Sequence, residues 1–298
     1  MKRIVLFGAG ASYGAGRVYP KVPPLGKDLY AELARYSLAW RNLPDDIQSG
    51  FQGGFEQGMQ VLWDKYSHSI SPLMQHMTLY LAQFRPDGSK SDLYTRFFDA
   101  LGGQTAFSLI STLNYDCLLE LAAVSLGKRV HYWNSEAPSG SLKVWKLHGS
   151  CNFLSAGVQA TKGMSFSSGV FFDSGLKAVN PNDAIQYCLS NNSLYPAMAL
   201  YMTAKPIQIG QSVILDLQKR WGELVHDAER VLVIGVRPYP PDTHIWQPLA
   251  DFAGELGFIG QEVDLRHWQE AHRSGKPTRL LGPRWDACFA QTVAFIRE

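Results

Sequence analysis

Lys2-Arg3-Ile4-Val5-Leu6-Phe7-Gly8-Ala9-Gly10-Ala11-Ser12 decides the fold class. A short unbroken apolar run that stops at glycine is the pattern of a parallel strand buried on both faces. Gly8-x-Gly10 then permits a tight turn into a helix. Such a turn lets a pyrophosphate approach the backbone and accept bonds from amides at the helix start. A tight strand-to-helix turn that holds no ligand is the other reading of the same residues. The dinucleotide fingerprint GxGxxG is incomplete, because its sixth position is Tyr13 and glycine comes only at Gly14.

Outward from this turn the pattern becomes helical over residues 25–83, with Leu29, Leu33 and Tyr36 in one segment and Leu73, Met77, Leu79 and Leu81 in another; the glycine-rich stretch 50–58 reads as a loop between them. Residues 92–101 predict a helix stopped by Gly102-Gly103. A strand is expected over 106–113, ending at Asn114-Tyr115-Asp116, then a helix over 117–126 that stops at Gly127. Short strands follow at 130–133 and 142–147, the second delivering His148-Gly149-Ser150. A hairpin is expected over 164–172, a strand at 206–209, a helix at 213–228, a central strand at 230–236 passing through Gly235, and a terminal helix at 286–296. Strands alternating with helices predict a Rossmann-like α/β fold, a mostly parallel sheet with helices on both faces and a helical insertion after the first βα unit, at about residues 27–104. Residues 1–298 thus read as a single domain. Ligands of such sheets sit beyond the carboxyl ends of the strands.

Composition narrows the function. With 298 residues, 46% hydrophobic and 18% charged, the chain can bury a sizeable core. A net charge of +2 without a Lys/Arg block gives no footprint for nucleic acid. The apolar start is too short for a signal-peptide core and no stretch approaches a membrane span, so a cytoplasmic protein is expected. Cys117, Cys151, Cys188 and Cys288 lie far apart and form no CxxC pair, and no His/Glu cluster has metal-ligand spacing, so neither a disulfide framework nor a metal is expected.

Three strand ends carry candidate chemistry. Asn114 and Asp116 leave their strand on the same side, because side chains alternate with period two. There they are suited to ribose hydroxyls, a carboxamide or an attacking water, or else to an Asx turn capping the next helix. His148 stands at the same edge, and histidine is the side chain whose ordinary pKa suits base work near neutrality. The other seven histidines, among them His244, have less suggestive neighbours.

Taken in order, Gly8-Ala9-Gly10-Ala11-Ser12, Thr112-Leu113-Asn114-Tyr115-Asp116 and Lys146-Leu147-His148-Gly149-Ser150 resemble the sirtuin motifs GAGxS, TxNxD and LHGS. A fourth sirtuin element, a strand ending in Gly-Thr-Ser, is similar to residues 231–237 only at Gly235. The resemblance implies NAD as ligand and substrate, with dinucleotide contacts from Gly8, Ala9, Gly10, Ser12 and Gly235. It also implies ribose or water contacts from Asn114, carboxamide recognition by Asp116 and a base in His148. Protein-deacylating sirtuins carry a four-cysteine zinc module and a Gly-Ile-Pro-x-Phe-Arg segment; this chain lacks the module and has Val22-Pro23-Pro24-Leu25-Gly26 after its first loop. In this it looks more like the sirtuin-like NAD glycohydrolases of bacterial anti-phage defence. That likeness implies a homo-oligomer and a separate sensor or ATPase partner. Deacylation, ADP-ribosyl transfer and a non-catalytic NAD-binding module are the competing expectations.

Overall fold

The computed structural model describes residues 2–102, 109–166 and 168–298. In chain order the strands are β1 (Arg3–Phe7), β2 (Val18–Tyr19), β3 (Arg85–Pro86), β4 (Leu109–Thr112), β5 (Arg129–His131), β6 (Ser141–Lys146), β7 (Phe153–Ser155), β8 (Leu176–Ala178), β9 (Arg230–Ile234), β10 (Glu255–Ile259) and β11 (Thr278–Gly282). The helices are α1 (Ala9–Tyr13), α2 (Gly26–Tyr36), α3 (Leu38–Arg41), α4 (Asp45–Gln52), α5 (Phe55–Tyr66), α6 (Ile70–Leu81), α7 (Leu93–Leu101), α8 (Leu118–Ser125), α9 (Pro181–Leu189), α10 (Gln211–His226), α11 (Thr243–Asp251), α12 (Glu262–His272) and α13 (Phe289–Arg297).

Seven strands form one sheet in the order β11-β10-β9-β1-β4-β6-β5, and every neighbouring pair in it is parallel. The expected Rossmann-like sheet is therefore present. From β1 the chain builds first toward β4, β6 and β5, then returns to the other side of β1 for β9, β10 and β11. The strand order reverses between β1 and β9, the place where such sheets bind ligands.

Register shows which side chains share a face. Val5 lies opposite Ile110 and Leu232, and Leu6 opposite Ser111 and Val233. On the Val5 side, Phe7 packs edge-on against Tyr94 and Phe97 of α7 and against Trp285. On the Ser111 side, the Trp221 indole of α10 donates to Ser111 Oγ at 2.9 Å, and that hydroxyl donates to Val5 O. Helices thus cover both faces, and Val5, Leu6 and Phe7 are fully buried. Each such side chain contributes about 1.5–3 kcal/mol by leaving water. The sequence explains the long helix α10, whose buried residues Ile214, Leu217, Trp221 and Val225 recur at helical spacing. Asp92 caps α7 by accepting the Thr95 amide, and Gly102, at φ +65°, ends it.

Between β1 and α7, helices α2 to α6 pack against one another, and α6 also meets α9. The glycine-rich 50–58 stretch is not a loop here. Helices α4 and α5 run through most of it with a break at Gly53-Gly54, and the Phe51 ring packs so closely on Gly58 that a Cβ there would lie 2.2 Å from it. Glycine serves helix contact at that position, a role periodicity alone does not reveal. The expected hairpin over 164–172 and strand over 206–209 also differ from the structure. Only an isolated bridge joins Phe172 to Ile209 among the described residues, and Ser167 lies outside them. Of the strand expected over 106–113, Leu109–Thr112 is formed, while 106–108, like Gly103, lies outside the described residues. Among the described residues, no helix is long and apolar enough to cross a membrane.

Candidate active site at the strand ends

The first loop leaves β1 at Gly8, and α1 begins at once. Its glycines serve a close approach to the loop after β9. Gly10 N–H donates to Gly235 O at 2.9 Å, and Gly8 N–H donates to Ile234 O at 2.9 Å. A Cβ on Gly10 would stand 2.9 Å from Gly235 Cα, and one on Gly235, which sits at φ +66°, would stand 2.3 Å from Ala11 N. The two loops are locked together at the switch point. Ala11 N–H donates to Gly8 O, so the exposed Ala9 carries the loop amide that has no backbone partner.

Ser12 is the hub of a buried polar cluster. Its Oγ accepts from Asn114 Nδ2 at 2.9 Å, lies 3.0 Å from Tyr94 Oη and donates to Asp116 Oδ1 at 3.4 Å. Asn114 Nδ2 also donates to Gly8 O at 2.9 Å. With both amide hydrogens spent, its orientation is fixed and Oδ1 is left as the acceptor. Asp116 Oδ1 accepts the Leu118 amide at 3.1 Å, so the Asx-turn reading of this residue is realised together with its contact to Ser12. Burial pushes the Asp116 carboxyl up, and the Lys146 ammonium works against that rise. Tyr94, on α7, belongs to the cluster but carries no motif that sequence reasoning recognises.

Beneath the cluster lies an ion pair that sequence reasoning also missed. Lys146 Nζ donates to Glu120 Oε1 at 2.8 Å and to Asp116 O, with both side chains almost completely buried. Burial alone would lower the Lys146 pKa, but Glu120, Cys117, Cys151 and Asp116 together outweigh it and hold the ammonium above its ordinary value. Cys117 and Cys151, one on each site loop, face each other with sulfurs 3.7 Å apart; both are free thiols, and that contact together with burial holds Cys117 up.

His148 follows β6. Its carbonyl accepts Ala199 N–H, and Gly149, at φ +79°, lets residues 197–199 pass so near that a Cβ would lie 2.1 Å from Ala197 O. The His148 ring meets His244, with the two Nε2 atoms 2.9 Å apart. Burial, then Lys205, then His244 push His148 well below the ordinary imidazole value. Burial and Lys205 bring His244 down to about 4. Both rings are therefore neutral near pH 7. Asp242, the residue before α11, pairs with Lys205 at 3.4 Å, and Lys205 in turn pairs with Glu56 of α5 at 3.3 Å. Lys205 itself sits at φ +42°, an uncommon conformation for a side-chain-bearing residue.

Ring nitrogens of His148 and His244 and an oxygen of Asp242 lie within 4.8 Å of one another. Lys205 pairs with that carboxylate and sets a positive charge beside the two rings. The cluster arises where the chain departs from Gly-Thr-Ser after Gly235. The only signal in the sequence was the spacing Asp242-x-His244 beyond a strand end.

A groove of about 500 Å³ lies away from these residues, lined by Trp133, Leu176, Val213 and Leu217 among others, with Asp216 its one ionisable side chain. It holds no member of the three motifs.

No protein-family model matches the chain, and no curated protein matches it. Among solved structures it is similar to a Sir2 homologue–NAD complex at 15% identity, over 99% of this chain and 89% of that one, with a TM-score of 0.52. It is likewise similar to a sirtuin solved to explain substrate affinity, at 15% identity over 98% and 92% with a TM-score of 0.51, and to a mutant Sir2 homologue in complex with ADP-ribose, at 15% over 99% and 92% with a TM-score of 0.50. At such identity the likeness is one of fold, and the chain has a sirtuin-like Rossmann fold.

Proposed function

We propose that the chain hydrolyses the nicotinamide–ribose bond of NAD to nicotinamide and ADP-ribose. One observation carries the reading: Ser12, Asn114 and Asp116 form a single hydrogen-bonded cluster at the carboxyl ends of β1 and β4, and His148 follows the adjacent strand β6. Solved structures of the same fold that hold NAD or ADP-ribose support the choice of ligand.

In this reading the pyrophosphate is met at the first loop by the Ala9 amide, with Gly8, Gly10, Ser12 and Gly235 shaping the approach. Full engagement of the Gly10 amide requires its bond to Gly235 O to open. Asn114 Oδ1 holds a ribose hydroxyl or the attacking water, Asp116 orients the carboxamide, and neutral His148 accepts the proton. Nicotinamide departs as a neutral molecule, so the protein's work is to position water and stabilise the sugar cation. A base in that role contributes about 10²–10⁴-fold.

The lack of a four-cysteine module among the chain's four scattered cysteines favours water over an acyl-lysine as acceptor. We place the activity in the cytoplasm, in an NAD-depleting effector of anti-phage defence that forms homo-oligomers and answers to a separate sensor, with residues 1–298 as one domain carrying the insertion at about 27–104. The test is chromatography of products from NAD and the purified chain, alone and with lysate of phage-infected cells. Nicotinamide and ADP-ribose that disappear in both His148→Ala and Asn114→Ala are expected. Full turnover in either variant refutes the assignment, and an O-acyl-ADP-ribose or modified-protein product replaces hydrolysis by group transfer.

A further inference from the structure

We propose that His148 and His244 work as one two-histidine acid–base unit, in which His148 takes a substrate proton at Nδ1 while passing its own Nε2 proton to His244. This rests on the hydrolase reading for its reaction but on the geometry of the pair for its proton arrangement.

The Nε2 atoms are 2.9 Å apart, within hydrogen-bond distance. Two neutral imidazoles make that bond only if one ring carries hydrogen on Nε2 and the other presents a lone pair there. No hydrogen bond among the described residues engages His148 Nδ1, so with Nε2 taken by His244 it is the nitrogen left to meet a ribose hydroxyl or water. His148 must then hold its hydrogen on Nε2, and His244 must hold its hydrogen on Nδ1.

The proton ledger closes. A hydroxyl proton moves to His148 Nδ1 as the Nε2 proton of His148 moves to His244 Nε2. The oxygen keeps the electron pair of the broken O–H bond, His148 remains neutral with its hydrogen on Nδ1, and His244 becomes the imidazolium. That cation forms at the residue two positions from the Asp242 carboxylate, within the same 4.8 Å cluster.

The charged surroundings suit a transient carrier. Lys205 faces both rings and disfavours their protonation at rest. Asp242 and Glu56 hold Lys205, whose ammonium lies 5.0 Å from the Tyr201 ring centroid and 5.3 Å from that of Tyr239. His244 is less buried than His148, which gives the proton a way out.

The test joins nitrogen-15 NMR of the ring nitrogens to kinetics of His244→Gln, a variant that retains a hydrogen-bonding group but cannot carry a proton. At pH 7 the expected pattern is His148 protonated at Nε2 and His244 at Nδ1. His244→Gln is expected to lower kcat about 10²-fold with KM within about twofold, and to move the acid limb of the pH profile upward, since His244 is one of the groups holding His148 down. If wild type shows this ring pattern but does not cleave NAD, the reaction assigned above fails and the pair stands. The opposite ring pattern, or wild-type kcat with an unmoved profile in His244→Gln, overturns the pair.

Discussion

Replacing Lys146 by methionine isolates a buried charge whose consequences depend on pH in a calculable direction. The substitution fills most of the lysine's volume but leaves Glu120 buried without its partner, and Glu120 Oε2 already lacks a hydrogen bond. Removing one member of a buried pair costs about 3–5 kcal/mol. Unfolding entropy near 2.1 cal/mol/K per residue gives about 0.6 kcal/mol/K for this chain, so Tm should fall by about 5–8 °C at pH 8. Burial raises the folded-state pKa of Glu120 above its ordinary 4.5 even with Lys146 present, and the variant removes a group that opposes the rise. A folded-state pKa above the unfolded one means that the native state binds more protons, so protonation offsets the loss as pH falls. The Tm deficit should therefore shrink steadily between pH 8 and pH 5. Glu120→Leu in the Lys146→Met background should recover most of the loss at every pH, because the uncompensated charge is then gone. Thermal unfolding of the four proteins of this cycle across that range is the assay. A deficit under about 1 kcal/mol, or one that stays the same from pH 8 to pH 5, would refute the argument.

Gly235→Ala forces a Cβ to within 2.3 Å of Ala11 N at a positive φ, so a loss of about 2 kcal/mol or more in urea unfolding is expected; a neutral substitution would show that the two loops are not locked. With His148 held well below the ordinary imidazole value, NAD turnover should stay level from pH 8 down to pH 6 and fall only on further acidification. A rate that halves between pH 7 and pH 6 would put the base elsewhere. Lys205→Met removes a charge that depresses both rings, so the acid limb should move to higher pH, and a limb that stays in place would count against Lys205 as its cause. Cys117, Cys151, Cys188 and Cys288 are buried and free, so none should react quickly with a thiol reagent before unfolding. One fast equivalent in the native chain would contradict that.

The sheet was legible because β1, β4 and β9 are short, largely apolar runs and β6 mixes apolar with polar residues, and each ends in an identifiable turn or polar triplet. Strands β10 and β11 went unread because Glu255-Leu256-Gly257-Phe258-Ile259 and Thr278-Arg279-Leu280-Leu281-Gly282 alternate too little to separate from loop, and β11 is an exposed edge. The first three motifs could be read for the same reason as the strands: their polar residues sit where a strand stops. Tyr94, Glu120, Lys205, Asp242 and His244 could not be read that way. Each comes from a helix or an irregular segment, and it acquires its role through a contact that crosses between 26 and 149 positions of chain, from Glu120 to Lys146 at one end to Lys205 to Glu56 at the other.

Those unread residues explain how parts on opposite sides of the switch point become one site. The β4 and β6 loops contribute Asn114, Asp116 and His148, the β9 side contributes Gly235, Asp242 and His244, and the first loop touches both through Ser12 and Gly10. Lys205 then ties the β9 side to Glu56, on the second helix after the Leu38–Arg41 turn of the helical segment. The pairs are partly buried, with Lys205 10% and Asp242 9% exposed at the side chain, so they are weakly screened and geometrically demanding. A displacement of the helix bearing Glu56 is therefore felt at the carboxylate beside His244 without any change in the β1 or β4 loops. It follows that substitutions at Glu56 should alter the His148–His244 pair while leaving the Ser12–Asn114 cluster intact, which separates the two halves of the site by chemistry as well as by position.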